Sequence, residues 1–140
     1  MTGECYALLR QQSILAHMLP ADDVAWLPEA FDAGLSQAQT TGGLLRHLFS
    51  VRSLALFERE SPAALACRLS GLLIGEELRA KALAPGAPVV LVGSAALGLR
   101  YQRALAWLGH PARLSPPQAG WLGLLALARA AGLMPVADQR

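Results

Sequence analysis

Long apolar runs are missing from these 140 residues, although 54% are apolar and the mean hydropathy is +0.36. The longest stretches without a charge, Ala82 to Leu99 and Leu114 to Ala128, are both broken by Pro and Gly. Neither supplies the ~20 consecutive apolar residues that a spanning helix needs. The opening MTGECYALLR has no basic segment ahead of an apolar one, so no signal peptide is expected. The expectation is a soluble, cytoplasmic chain with no membrane partner. Cysteine is also scarce: Cys5 and Cys67 stand far apart, without CxxC spacing, and with only His17, His47 and His110 beside them no metal set assembles. Both cysteines read as small buried apolar residues in a reducing compartment. A basic footprint is absent too. Twelve basic residues face ten acidic ones, for a net charge of +2, and the basic residues are scattered. Arg100 and Arg103 lie one turn apart, but no aromatic-interleaved stripe accompanies them, which argues against nucleic acid.

The remaining sequence is rich in helix signals. The length suits one domain with a real core. Thr2 is placed to cap a first helix, with Tyr6, Leu8 and Leu9 on its apolar side. Pro28 suits the first turn of a helix reaching about Gln39. Gly42-Gly43 breaks the chain before LLRHLFSVRSLALF, where Leu45, Leu48, Phe49 and Arg52 recur at helical spacing. Ser61 and Pro62 are an N-cap and first position for a long helix carrying Leu65, Leu69, Leu72, Leu73 and Leu78 in a wide stripe. Ser94 is placed to cap a helix ending at Gly109, and Ser115-Pro116 to open a last one closed near Gly132 and Pro135.

One convincing strand remains, at Pro88 to Val92. Its apolar residues run without alternation, as in a strand buried on both faces. Such a strand must pair its backbone groups or lose a kilocalorie or more for each. This chain offers one weak partner, Ala112 to Leu114. Five or six helices around one strand suggest a piece of a larger α/β domain whose other strands lie elsewhere. The competing reading is a mostly helical domain in which Val89 to Val92 pairs minimally.

The strand runs into Gly93-Ser94 and then directly into a helix. A glycine here lets backbone approach a ligand with no Cβ in the way, and a helix start presents free N–H groups and the positive dipole end to an anion. It is not a P-loop, since Leu99-Arg100 stand where Lys-Ser or Lys-Thr is required after Gly93 and Gly98. Nor is it a dinucleotide fingerprint, because Ala95 replaces the second glycine of GxGxxG. Taken alone, the junction reads more readily as a structural corner than as a ligand site.

Its neighbours carry more. SGLLIGEEL, VVLVGS and ALGLRYQRALAWLG resemble the closing part of the 2-keto-3-deoxygalactonate kinase (2-dehydro-3-deoxygalactonokinase) family of the actin-like ATPase and sugar-kinase superfamily. MTGECYALLR, LFSVRSLALF and GLLALARAAGL are similar in order and spacing, so the likeness extends over nearly the whole chain. Two departures are Ala95, where a Pro often follows Gly-Ser, and Arg68, where an aromatic is common. The resemblance implies an α/β fold: the helix-rich C-terminal portion of an actin-like (ribonuclease H-like) sugar-kinase domain, with an incomplete sheet and the N-terminal domain absent from residues 1–140. It implies that ATP lies against backbone at Gly93, Ser94 and Ala95, with Mg²⁺ as the accompanying ion. Gly71 and Gly75, four apart on the preceding helix, either open space for that nucleotide or pack closely against the strand; each costs its helix roughly 1 kcal/mol against Ala, so some reason is needed.

The same resemblance implies phosphoryl transfer from ATP to the 6-hydroxyl of 2-dehydro-3-deoxy-D-galactonate. Such transfer needs a phosphate cradle, Mg²⁺ ligands and a base. The family carries these in its earlier half, so no catalytic, metal or substrate residue is assigned here, and the isolated chain is expected to be inactive. A half-protein completed by a separately encoded partner and a non-catalytic sensing or interaction module are the other readings. Among other polar residues, Arg52 reads as facing phosphates or substrate or, more simply, as a solvated or ion-paired helix arginine. Glu76 and Glu77 read as an exposed face with a Glu77–Lys81 pair. Asp22-Asp23 reads as helix-start chemistry, and Trp26, Trp107 and Trp121 as core or interface. Nothing in the sequence fixes an oligomeric state.

Overall fold

A computed structural model of the chain describes residues 1–20 and 25–133. The elements follow the punctuation closely. Helix α1 (Thr2–Gln12) leads into a 3-10 turn (Ile14–His17), then α2 (Pro28–Ala38), α3 (Gly43–Leu56) and α4 (Pro62–Lys81). Strand β1 (Val89–Leu91), α5 (Ala95–Trp107), β2 (Ala112–Leu114) and α6 (Ala119–Ala130) complete the order. Pro28 and Pro62 start their helices as expected, and the Ser61 side chain accepts from Ala64 N–H. Gly132, at φ +69°, ends α6 in the left-handed region that favours glycine. Leu133 N–H reaches back to the Ala128 carbonyl there. Asp22, Asp23 and Pro135 lie outside the described residues.

Three caps differ from expectation. Met1 takes the position before α1, and the Thr2 hydroxyl instead donates to Glu77 at 2.5 Å. Ser94 has the backbone geometry of an N-cap but makes no side-chain cap bond. Ser115 does not open α6. Its N–H donates to the Leu91 carbonyl and extends the strand ladder, so α6 starts four residues later, after Gln118.

Helix α4 is the centre of the molecule. It is apolar almost all round, as a fully enclosed helix should be, and eleven of its residues are buried. One side (Leu65, Ala66, Leu69, Leu72, Leu73) joins Leu15, Leu19, Ala38 and Val51 in a first core. The other (Cys67, Ile74, Leu78) joins Phe31, Leu35, Ala104 and Leu105 in a second. Both cysteines are free; Cys67 is buried and Cys5 half-buried.

The sheet has two strands, β1 and β2, parallel, with Val90 opposite Arg113 and α5 as the crossover. The weak partner is therefore real, and the chain is a helix-rich α/β unit. β1 is not buried on both faces, however: Val90 is 49% and Val92 68% exposed. Helix α3 forms where the helical spacing placed it; Leu45 and Phe49 face solvent, and its buried residues are His47 and Val51. Trp26, Trp107 and Trp121 are all exposed, so none is in the core. No described helix is long and apolar enough to cross a membrane.

Candidate functional site

The C-terminal end of β1 delivers the chain to Gly93, Ser94 and Ala95, all exposed. An added Cβ at Gly93 would meet nothing within 4 Å, so the backbone here is open to an incoming group. Gly98 N–H donates to the Ser94 carbonyl at 2.9 Å, closing the first turn of α5. The N–H groups of Ala95, Ala96 and Leu97 precede that bond and have no intrahelical partner. That first turn carries no acidic residue, so no carboxylate competes for them. Beside the junction runs a groove of about 470 Å³, lined by Val90, Leu91, Val92, Gly93, Leu97, Gly98 and Tyr101. An apolar trough ending at a set of free N–H donors can hold a molecule with an apolar body and an anionic end.

Gly71 and Gly75 do not reach this groove. Both are buried, and helix α2 occupies the space they leave. A Cβ on Gly71 would collide with the Phe31 carbonyl, lying 2.9 Å from its carbon, and one on Gly75 would lie 2.7 Å from Ala38 Cβ. Gly34 answers from the other side, where a Cβ would lie 2.7 Å from Leu72 N. The expectation that Gly71 and Gly75 open nucleotide space is corrected: their reason is backbone-to-backbone contact of α4 with α2, and the partner is that helix, not the strand.

Several interactions had no signal in the sequence, because their partners come from distant segments. Glu77 accepts from the Thr2 hydroxyl and, through a short bond, from the Tyr101 hydroxyl, tying α1, α4 and α5 together. Burial alone would raise the Glu77 carboxyl, but these two hydroxyls, with Lys81 and the amino terminus, bring it below its ordinary value. Burial and the same bond push the Tyr101 phenol up to about 12. Tyr101 also lines the groove, so this brace sets one of its walls. Glu76 is not on an exposed face: it pairs with buried His47 Nδ1 at 2.8 Å and with Arg79 at 2.5 Å. Burial opposes its ionisation, yet Arg79 and His47 lower its carboxyl overall. Thr40 Oγ1 lies 3.2 Å from the other ring nitrogen of His47.

Several arginines are engaged. Arg68 grips the Glu60 carboxylate, and Arg103 binds both oxygens of Asp32, at 2.8 and 2.6 Å. Arg100 donates to Ser70 Oγ at 3.2 Å and sits 5.5 Å above the Trp26 ring. Among the described residues Arg52 has no carboxylate partner, and its Nε is buried without a hydrogen-bond partner. Among the described residues no group of His, Cys, Asp and Glu could hold a metal ion.

Comparison with known proteins gives a consistent result. The family model described as 2-keto-3-deoxy-galactonokinase matches residues 1–127. The 2-dehydro-3-deoxygalactonokinase of Escherichia coli (strain K12) is 35% identical over 114 residues, which is 78% of this chain but 37% of that protein. Among solved structures, a protein of Sinorhizobium meliloti described as a candidate 2-dehydro-3-deoxygalactonokinase superimposes with a TM-score of 0.81 at 33% identity. That match covers 97% of this chain and 46% of the other. The chain therefore spans less than half the length of the relatives it matches.

Proposed function

The chain belongs to the 2-keto-3-deoxy-galactonokinase family, a family of phosphotransferases, and from that premise we propose that it is the nucleotide-side, C-terminal portion of a sugar-acid kinase with an actin-like ATPase fold. The complete enzyme moves the γ-phosphoryl of ATP to the 6-hydroxyl of 2-dehydro-3-deoxy-D-galactonate. Backbone at Gly93, Ser94 and Ala95 lies against the nucleotide. The observation that carries this reading is the junction itself: space at Gly93, three free N–H donors at the start of α5 and no carboxylate among them. The residues present fit the nucleotide and not its metal, so Mg²⁺ ligation, the phosphate cradle and the base fall to the part of the enzyme this chain does not match. The chain's own work is to hold the nucleotide and to keep the start of α5 pointed at it. Alone it transfers no phosphoryl group, and no described residue is assigned to the sugar acid.

Thermal melting with and without MgATP tests the reading, because a ligand bound only by the folded state must raise the midpoint. The proposal requires a rise, and its loss in Gly93→Val. No rise, or a rise that survives Gly93→Val, would move the nucleotide elsewhere. A second reading, a half-protein completed by a separately encoded partner, is favoured by the relatives' greater length and by the exposed valines of β1. In that case activity appears only on mixing the two chains.

A further inference from the structure

Helix α5 borders two hollows of opposite chemistry. One is the groove of about 470 Å³ beside β1, to which α5 contributes Leu97, Gly98 and Tyr101 and whose lining carries no formal charge. The other, of about 430 Å³, is lined by Trp26, Ala96, Leu99, Arg100 and Arg103. Its four α5 residues recur at i, i+3, i+4 and i+7, so they share one face of the helix. Ala96 is among the residues whose N–H has no intrahelical partner. A free donor and two guanidiniums therefore border the same space.

The two guanidiniums are not equivalent. Arg103 is neutralised by Asp32, as Arg68 is by Glu60 and Arg79 by Glu76. Arg100 meets no carboxylate among the described residues. Its Nη1 donates to Ser70 Oγ at 3.2 Å, and its guanidinium carbon stands 5.5 Å from the centre of the Trp26 ring. Ser70 is buried in α4, which gives the guanidinium a fixed anchor. A hydroxyl and an indole hold the group in place without cancelling its charge. Arginine has five N–H donors, and Ser70 accepts from one nitrogen only. The rest of the fork is free for an oxyanion, the ligand its planar geometry suits best.

We propose that Arg100 receives the phosphates nearest the ribose when a nucleotide lies against Gly93 to Ala95, and that Ser70 and Trp26 are the positioning residues that hold Arg100 for them. This rests on the nucleotide reading above and gives it a direction. The nucleoside lies on the uncharged side of α5, and the phosphates cross the start of the helix toward the charged side. Only about 6 Å of helix rise separates Ala96 from Arg100, and long side chains on a helix lean toward its N-terminus. An anion at the Ala96 N–H is therefore within reach of the guanidinium. The γ-phosphoryl lies farther on, toward the part of the enzyme this chain does not match. Arg100 anchors the nucleotide and takes no part in the transfer.

Titration of the chain with adenosine, ADP and pyrophosphate tests the assignment. The expected result is that ADP binds about tenfold tighter than adenosine, the size of effect a hydrogen bond to a charged group supplies. Arg100→Gln should erase that gap and leave the adenosine affinity unchanged. Arg100→Lys, which keeps the charge and loses the fork, should restore part of it. Ser70→Ala and Trp26→Leu should narrow the gap without touching adenosine, whereas a merely structural role would weaken both ligands alike. A gap that persists in Arg100→Gln, or an equal loss for adenosine and ADP, would overturn the proposal. The unaltered chain supplies a test free of any folding defect: equal affinity for adenosine and ADP would overturn the role of Arg100 and leave the nucleotide reading intact. Pyrophosphate bound through Arg100 with adenosine and ADP excluded would do the reverse, upholding the phosphate anchor and sinking the nucleotide reading. Binding of none of the three would overturn both.

Discussion

The α2–α4 seam and the β1–α6 region are built from similar amino acids and end in opposite states. Along the seam, Phe31, Leu35, Leu65, Leu69, Leu72 and Ile74 are almost wholly buried, and Gly34, Gly71 and Gly75 bring two backbones into contact. Helix α6 is richer in leucine, yet it buries no residue; Trp121, Leu122, Leu124 and Leu127 are between 61% and 77% exposed. Val90 and Val92 are exposed too, at 49% and 68%. Apolar content does not decide which region is a core. What decides it is whether this stretch of chain contains the complementary surface. Among the described residues the first region carries both of its faces and the second only one; the chain spans less than half of the length of the relatives it matches.

Substitutions break this contrast in a definite order. The largest effect is expected for Gly71→Val, which forces side-chain atoms into the Phe31 backbone. Overpacking usually costs 1–3 kcal/mol, and a backbone that cannot yield puts this case above about 3, so denaturant melts should show little or no cooperative transition. Leu69→Ala removes a wholly buried side chain and should cost about 3 kcal/mol. Leu124→Ala, the matching deletion in α6, should stay within about 0.5 kcal/mol in the chain alone. Equal costs for the two leucines would show that α6 is packed after all.

A smaller effect is expected at the brace between the two regions. Tyr101→Phe removes one donor to Glu77 and should cost about 1.5 kcal/mol. Because folding lowers the Glu77 carboxyl, its contribution is complete above the unfolded value near 4.5 and is lost as pH falls through the folded value. Tyr101, raised to about 12, contributes fully below its ordinary value of 10 and loses that contribution as pH climbs through 12. Stability measured from pH 3 to 7 should therefore fall more steeply toward acid in the unaltered chain than in Tyr101→Phe. Parallel curves would mean that the hydroxyl does not support the carboxylate. One substitution should be a gain: Gly123 has open space on an exposed helix, and Gly123→Ala should add up to about 1 kcal/mol of helix stability.

Local chemistry was the legible part of the sequence. Pro28, Ser61-Pro62 and Gly132 marked helix ends because proline and glycine act on their own backbone. The apolar run at Val89 and the short ARL segment were enough to name the two strands as partners, though not their parallel direction. Partner identity was not legible. Gly71 and Gly75 signalled a close approach without naming α2. The α3 periodicity marked a helix but not which face turns inward: the fold buries His47 and Val51, and Glu76 satisfies the imidazole. Ser115 looked like a cap from its neighbour Pro116, and the ladder claimed it instead. Thr2, Glu77 and Tyr101 are brought together only by tertiary structure. At the candidate site, Gly93, Ser94 and Ala95 stand open at a helix start as the sequence suggested, while Tyr101 was missed.

Amide hydrogen exchange on the chain alone tests most directly whether it is one finished region joined to one unfinished region. The account predicts that Leu69 to Ile74 in α4 exchange at least a hundredfold more slowly than Leu122 to Leu127 in α6. Equal protection in the two helices at low protein concentration would contradict it, because α6 would then be covered by the chain itself.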